Sequence, residues 1–66
     1  MSMDKLKALM VSYNKCLEGI HRSNDDRNSA LLYGHMKGIE EVLSLMGYVF
    51  IKGIGGKMID IKERVI

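Results

Sequence analysis

The chain has 66 residues, 47% of them hydrophobic, with seven glycines, no proline, one cysteine, two histidines and a net charge of +2. That length bounds it to one domain, and the hydrophobic content excludes a disordered chain. One cysteine excludes an internal disulfide and, with two histidines, cannot complete a structural zinc site; of the devices that stabilise small domains, oligomerisation or partner binding remains.

Residues 4–21 predict a first helix. Asp4 is placed to cap it, and Leu6, Leu9, Met10, Tyr13, Cys16, Leu17 and Ile20 recur at spacings of three and four. The projection leaves Lys7, Asn14, Lys15 and Glu18 toward solvent, so this helix is amphipathic on one side only. A break follows over 22–26, where Ser23 and Asp26 form a capping-box variant. So short a connection makes the two helices antiparallel neighbours.

The second helix is predicted over 24–46 and carries more apolar surface than one neighbour covers. Leu32, Met36, Ile39, Leu43 and Met46 form a full stripe, and Ala30, Gly34 and Gly38 form a line of small residues beside it. The two sectors together span roughly 200°, against about 100° for an ordinary surface helix. Leu31, Gly34, Gly38 and Leu45 line the second face, and His35 falls within the apolar sector as a core or interface histidine. Interior glycines weaken a helix by about 1 kcal/mol each, which close approach of another backbone offsets. That backbone belongs either to a second subunit or to the same chain. Gly47 ends the helix by taking the left-handed conformation, and Tyr48 is placed to fold back on the last turn.

The chain then changes period. Tyr48-Val49-Phe50-Ile51 predicts a strand of about 48–52, Lys52 to Lys57 a glycine-rich turn, and 57–65 a second strand. Alternation puts Ile59, Ile61 and Val65 on one face and Met58, Asp60, Lys62 and Arg64 on the other, with Glu63 breaking the apolar side. The expected fold is α+β, an antiparallel helical hairpin followed by a C-terminal β-hairpin lying on the helical pair. A ribbon alone is marginal, and its edges offer pairing with a second copy.

No constellation for catalysis emerges. Glu18 and His21 have the Glu-x-x-His spacing of di-iron bundles, but Glu18 projects to the polar face and Glu40 lies about 20 Å along the second helix. Cys16 sits on an apolar arc as a small buried hydrophobe without an activating base. Lys52-Gly-Ile-Gly-Gly-Lys57 lacks the terminal Lys-Ser/Thr and following helix of a phosphate loop, and reads as a hairpin turn. His21, Arg22 and Arg27 near the interhelix turn, or Lys52 and Lys57 in the glycine turn, are the candidates for an anion or phosphorylated-nucleotide site, with Asp25 and Asp26 opposing the first group. Each half of the chain carries +1, and helix 2 sets Arg27 and Lys37 against Asp25, Asp26, Glu40 and Glu41, a surface that would repel phosphate and argues against a nucleic-acid partner. No apolar run reaches the length of a membrane span, and no leader pattern opens the chain; the expected location is the cytoplasm.

The run Gly38-Ile-Glu-Glu-Val-Leu-Ser-Leu-Met-Gly47-Tyr, followed by a glycine-turn ribbon, resembles small proteins of Gram-positive phages and mobile elements. The resemblance covers residues 30–62 and implies a protein that binds and blocks or redirects a host protein. With the residue pattern, the expectation is a non-enzymatic interaction module without cofactor, a homo-oligomer whose contact surface includes Leu31, Gly34, His35, Gly38, Leu45, Tyr48 and Phe50. The competing expectation is an oligomeric binder that sequesters a phosphorylated nucleotide.

Overall fold

In a computed structural model the chain forms α1 (Met3–Arg22), α2 (Asp26–Leu45), β1 (Tyr48–Lys52), a single 3-10 turn (Ile54–Gly56) and β2 (Met58–Glu63). Residues 2–65 are described. The α-α-β-β architecture is the one expected from periodicity, and its two helix N-caps each differ by two residues. Ser2, not Asp4, starts α1, its hydroxyl accepting from the Lys5 N–H at 3.3 Å. Asp25 starts α2, its carboxylate accepting from the Arg27 N–H at 2.9 Å. Ser23 instead closes α1 and braces the turn through the Asp25 N–H at 3.1 Å. Asp4 and Asp26 both fall in first turns, where the helix dipole favours them without a capping bond. Gly47 has φ +85° and closes α2 as predicted.

The antiparallel β1–β2 ribbon lies across the helical pair, β2 over α1 and β1 over α2. Tyr13, Cys16, Met36, Ile39, Leu43, Tyr48 and Met58 form the buried core, with Leu6, Leu9, Met10, Leu17, Ile20, Leu32, Phe50 and Ile61 packed around it. Gly19 admits α2 closely: a Cβ there would stand 2.9 Å from Leu32 Cδ1.

Three expectations are corrected. The strict alternation over 58–65 fails because the register shifts between Ile51 and Lys52, with Ile51 opposite Asp60 and Lys52 opposite Met58. Ile59 becomes the extra residue of a bulge. Met58 therefore turns inward together with Ile61, while Ile59 and Val65 are exposed. Met46 lies past the last helical residue and is 54% exposed rather than in the stripe. Asn14, expected in solvent, is half-buried. Its Nδ2 donates to the Met58 carbonyl at 2.9 Å and its Oδ1 accepts from the Met58 N–H at 2.8 Å. One side chain thus serves as the missing strand partner for an outward-facing peptide of β2 and holds the ribbon to α1.

Candidate functional site

Two features stand out from the core: a polar cluster under the ribbon and a bare apolar face on the helices. The cluster centres on Glu40 of α2. Its Oε2 accepts from the Tyr13 hydroxyl at 2.6 Å and from Lys52 Nζ at 3.1 Å, and Oε1 lies 3.5 Å from Lys37 Nζ. Lys52 Nζ also stands 5.6 Å from the centre of each of the Tyr13 and Phe50 rings. Burial alone would raise the Glu40 carboxyl, but the Tyr13 hydroxyl and the two ammonium groups outweigh it and hold the group below its ordinary range. Burial, then the Glu40 bond, pushes Tyr13 up. Tyr13 and Glu40 together raise Lys52. Every shift favours the resident state: neutral phenol, carboxylate, ammonium. Such a set stabilises the ribbon over α2 and offers neither a free base nor an activated nucleophile.

The second feature lies on the other side of the helices. Asn14 of α1 and Glu40 of α2 face the ribbon. Ser12 and Gly38 precede them by two positions, about 200° round each helix. Two shallow grooves that share Leu9 and Val42 lie between these far sides, one bordered also by Gly34, His35, Gly38 and Ile39 of α2 and the other by Lys5, Ala8 and Ser12 of α1, neither with a ribbon residue. A Cβ added at Gly34 or Gly38 would meet nothing within 4 Å. Leu31 and Leu45, 70% and 80% exposed, continue the apolar surface along α2, and Val42 is 45% exposed. The small-residue line therefore packs against neither α1 nor the ribbon of its own chain, which removes the intrachain alternative.

No family model, curated protein or solved structure matches the chain.

Of the contact residues expected from sequence, Leu31, Gly34, His35, Gly38 and Leu45 share this open surface. His35 is exposed in the single chain and is not a core histidine. Tyr48 and Phe50 do not belong to it. Tyr48 is buried and Phe50 packs beside it, because even positions of β1 face the helices. Ala8, Leu9, Ser12 and Val42 were missed. Val42 extends the Ala30-Gly34-Gly38 row by one more step of four, a signal present in the sequence. The α1 contribution needed the helix pairing.

The expected anion residues scatter. Lys52 is committed to Glu40, and Arg22 pairs with Glu18 at 3.2 Å across one turn of α1. Arg27 is exposed at the start of α2. His21 and Lys57 do come together, with Lys15, around an open groove of about 480 Å³ that Glu18 also borders. Among the described residues no group of histidine, cysteine and carboxylate side chains is placed to hold a metal, and no helix is long and apolar enough to cross a membrane. Cys16 is buried, as expected.

Proposed function

We propose that this chain is a non-enzymatic protein-interaction module that self-associates through the bare face of its helical pair. It works in the reducing cytoplasm and acts by binding and inhibiting or modulating another protein. One observation carries the reading: two interior helical glycines face open space beside exposed Leu31, Val42 and Leu45. Interior glycine weakens a helix, and exposed leucine gains nothing in water. Both become favourable when another surface covers them.

The runner-up is a small-ligand binder using the Lys15, His21 and Lys57 groove, where two of the expected anion residues, His21 and Lys57, meet. Glu18 at the same rim lowers its attraction for phosphate. Native mass spectrometry of the freshly purified protein separates the readings. The interaction module gives a ligand-free dimer or larger species that reverts to monomer in a Leu31→Glu/Leu45→Glu variant. Both residues are exposed in the single chain, so that variant keeps its helical circular dichroism. A wild-type monomer at all concentrations overturns self-association. Retained mass in the nucleotide range promotes the runner-up.

A further inference from the structure

We infer that the bare face is closed by a second copy of this chain, packed antiparallel so that the two α2 helices cross at Gly38 on a two-fold axis. The inference rests on the interaction reading above and specifies its partner and geometry.

The first support is area. The chain exposes 4961 Å², whereas a compact monomer of this size exposes roughly 4,250 Å². The excess, roughly 700 Å², is close to the ~800 Å² that each partner contributes to a stable interface of ordinary size. The excess belongs to the whole chain, and Leu31, Val42 and Leu45, 70%, 45% and 80% exposed, place part of it on this face.

The second support is self-complementarity. Ala30, Gly34, Gly38 and Val42 form one row at steps of four, continued by Met46 at the C-cap of α2, the row that packs when helices cross at about −50°. Turned end for end about Gly38, the row sets glycine on glycine at the axis. Val42 then lies over Gly34 of the copy, and Met46 over Ala30. Each large side chain meets a notch, and each notch receives a large side chain. A two-fold contact requires this reciprocity, in which residue i meets j and j meets i. A foreign partner places no such demand on the order of residues along one helix. Leu31 and Leu45 stand seven residues to either side of Gly38 and flank the contact at its ends.

The competing apolar surface is the outer side of the ribbon, with Val49, Ile51 and Ile59. Lys62 opposes Val49 and Asp60 opposes Ile51, so charge interrupts it at every pair. Along β2, Asn14 already occupies the outward N–H and C=O of Met58, which blunts that edge for pairing with another ribbon. On the helical face the α2 residues that border the groove, Gly34, His35, Gly38, Ile39 and Val42, include no carboxylate or ammonium, and the charges of Glu41 and Lys5 stand at its margins.

The test is a directed cross-link. Gly34→Cys and Val42→Cys chains, one isotopically heavy, are mixed and oxidised mildly, with the wild-type chain and its buried Cys16 as the background control. The two-fold crossing brings position 34 of one copy to position 42 of the other, within the about 4.4–6.8 Å Cα separation a disulfide spans. It holds the two 34 positions well apart. The expected product is the mixed 34–42 disulfide in several-fold excess over either like-with-like product. Gly38→Leu, whose Cβ would meet nothing within 4 Å in the single chain, is expected to abolish dimer mass while retaining helical circular dichroism. Like-with-like cross-links in excess would mean a parallel pair and overturn the inference. A wild-type dimer with no cross-link, insensitive to Gly38→Leu, would place the contact elsewhere and overturn it while leaving the interaction reading standing. A wild-type monomer would overturn both.

Discussion

Asn14→Ala should be among the most damaging single changes at a polar position in this chain. The side chain makes two hydrogen bonds, at 2.9 and 2.8 Å, to the backbone of Met58, whose own exposure is 1%. Alanine leaves an N–H and a C=O unpaired at the core boundary, and a buried unpaired group costs about 1–3 kcal/mol. Asn14 is itself half-buried, so some water reaches the gap, and the lower part of the range applies. The expected loss is about 2–3 kcal/mol. For a domain of this size each kcal/mol moves the melting temperature by about 4–8 °C, giving a fall on the order of 10–20 °C. Urea unfolding followed by circular dichroism measures the loss, and amide exchange at Met58 locates it. Asn14→Asp keeps the acceptor for the Met58 N–H but sets a carboxylate against the carbonyl, so it should not restore wild-type stability. A loss under about 0.5 kcal/mol for Asn14→Ala would show that water replaces the clamp and that apolar burial alone holds the ribbon to α1.

Other outcomes follow from the same contacts. At a dilution where the chain is monomeric, Gly38→Ala should raise stability by about 1 kcal/mol through helix propensity, because its new methyl meets nothing within 4 Å. Gly19→Ala should gain less or lose, since its methyl would stand 2.9 Å from Leu32 Cδ1; equal gains at both sites in thermal melts would contradict the packing described. The Glu40 carboxyl is held below its unfolded value, so its stabilisation is present above that value, near 4.5, and is lost as pH falls through the folded one. Glu40→Gln should therefore be less stable at neutral pH and show a flatter acid limb in urea midpoints from pH 6 to pH 2. An acid limb as steep as wild type would place the titrating group elsewhere.

The helices were legible because their apolar spacing is local and strong. Tyr13, Cys16, Met36, Ile39 and Leu43 are both periodic in sequence and buried in the fold. Gly47 was legible as a terminator because positive φ singles out glycine. The candidate surface was legible in part: the row Ala30-Gly34-Gly38 announces a close approach, and the structure shows that the chain itself does not supply it. Asn14 was not legible, since its partner lies 44 residues away and nothing in the surrounding helix marks an asparagine as inward. Nor was the Tyr13–Glu40–Lys52 cluster, which joins three elements across 27 and 12 residues.

What the sequence determined by itself was whatever depends on neighbours within about one helical turn: two amphipathic helices, a glycine stop, a glycine turn, and an apolar sector on α2 too wide for one partner. The tertiary structure decided what depends on register between elements. A bulge at Ile59 turned Met58 inward, and the parity of β1 sent Tyr48 and Phe50 to the core. Docking of α1 on α2 divided the apolar sector of α2 into a covered half and a bare half. These choices are set by contacts between residues distant in the chain, and no local spacing encodes them.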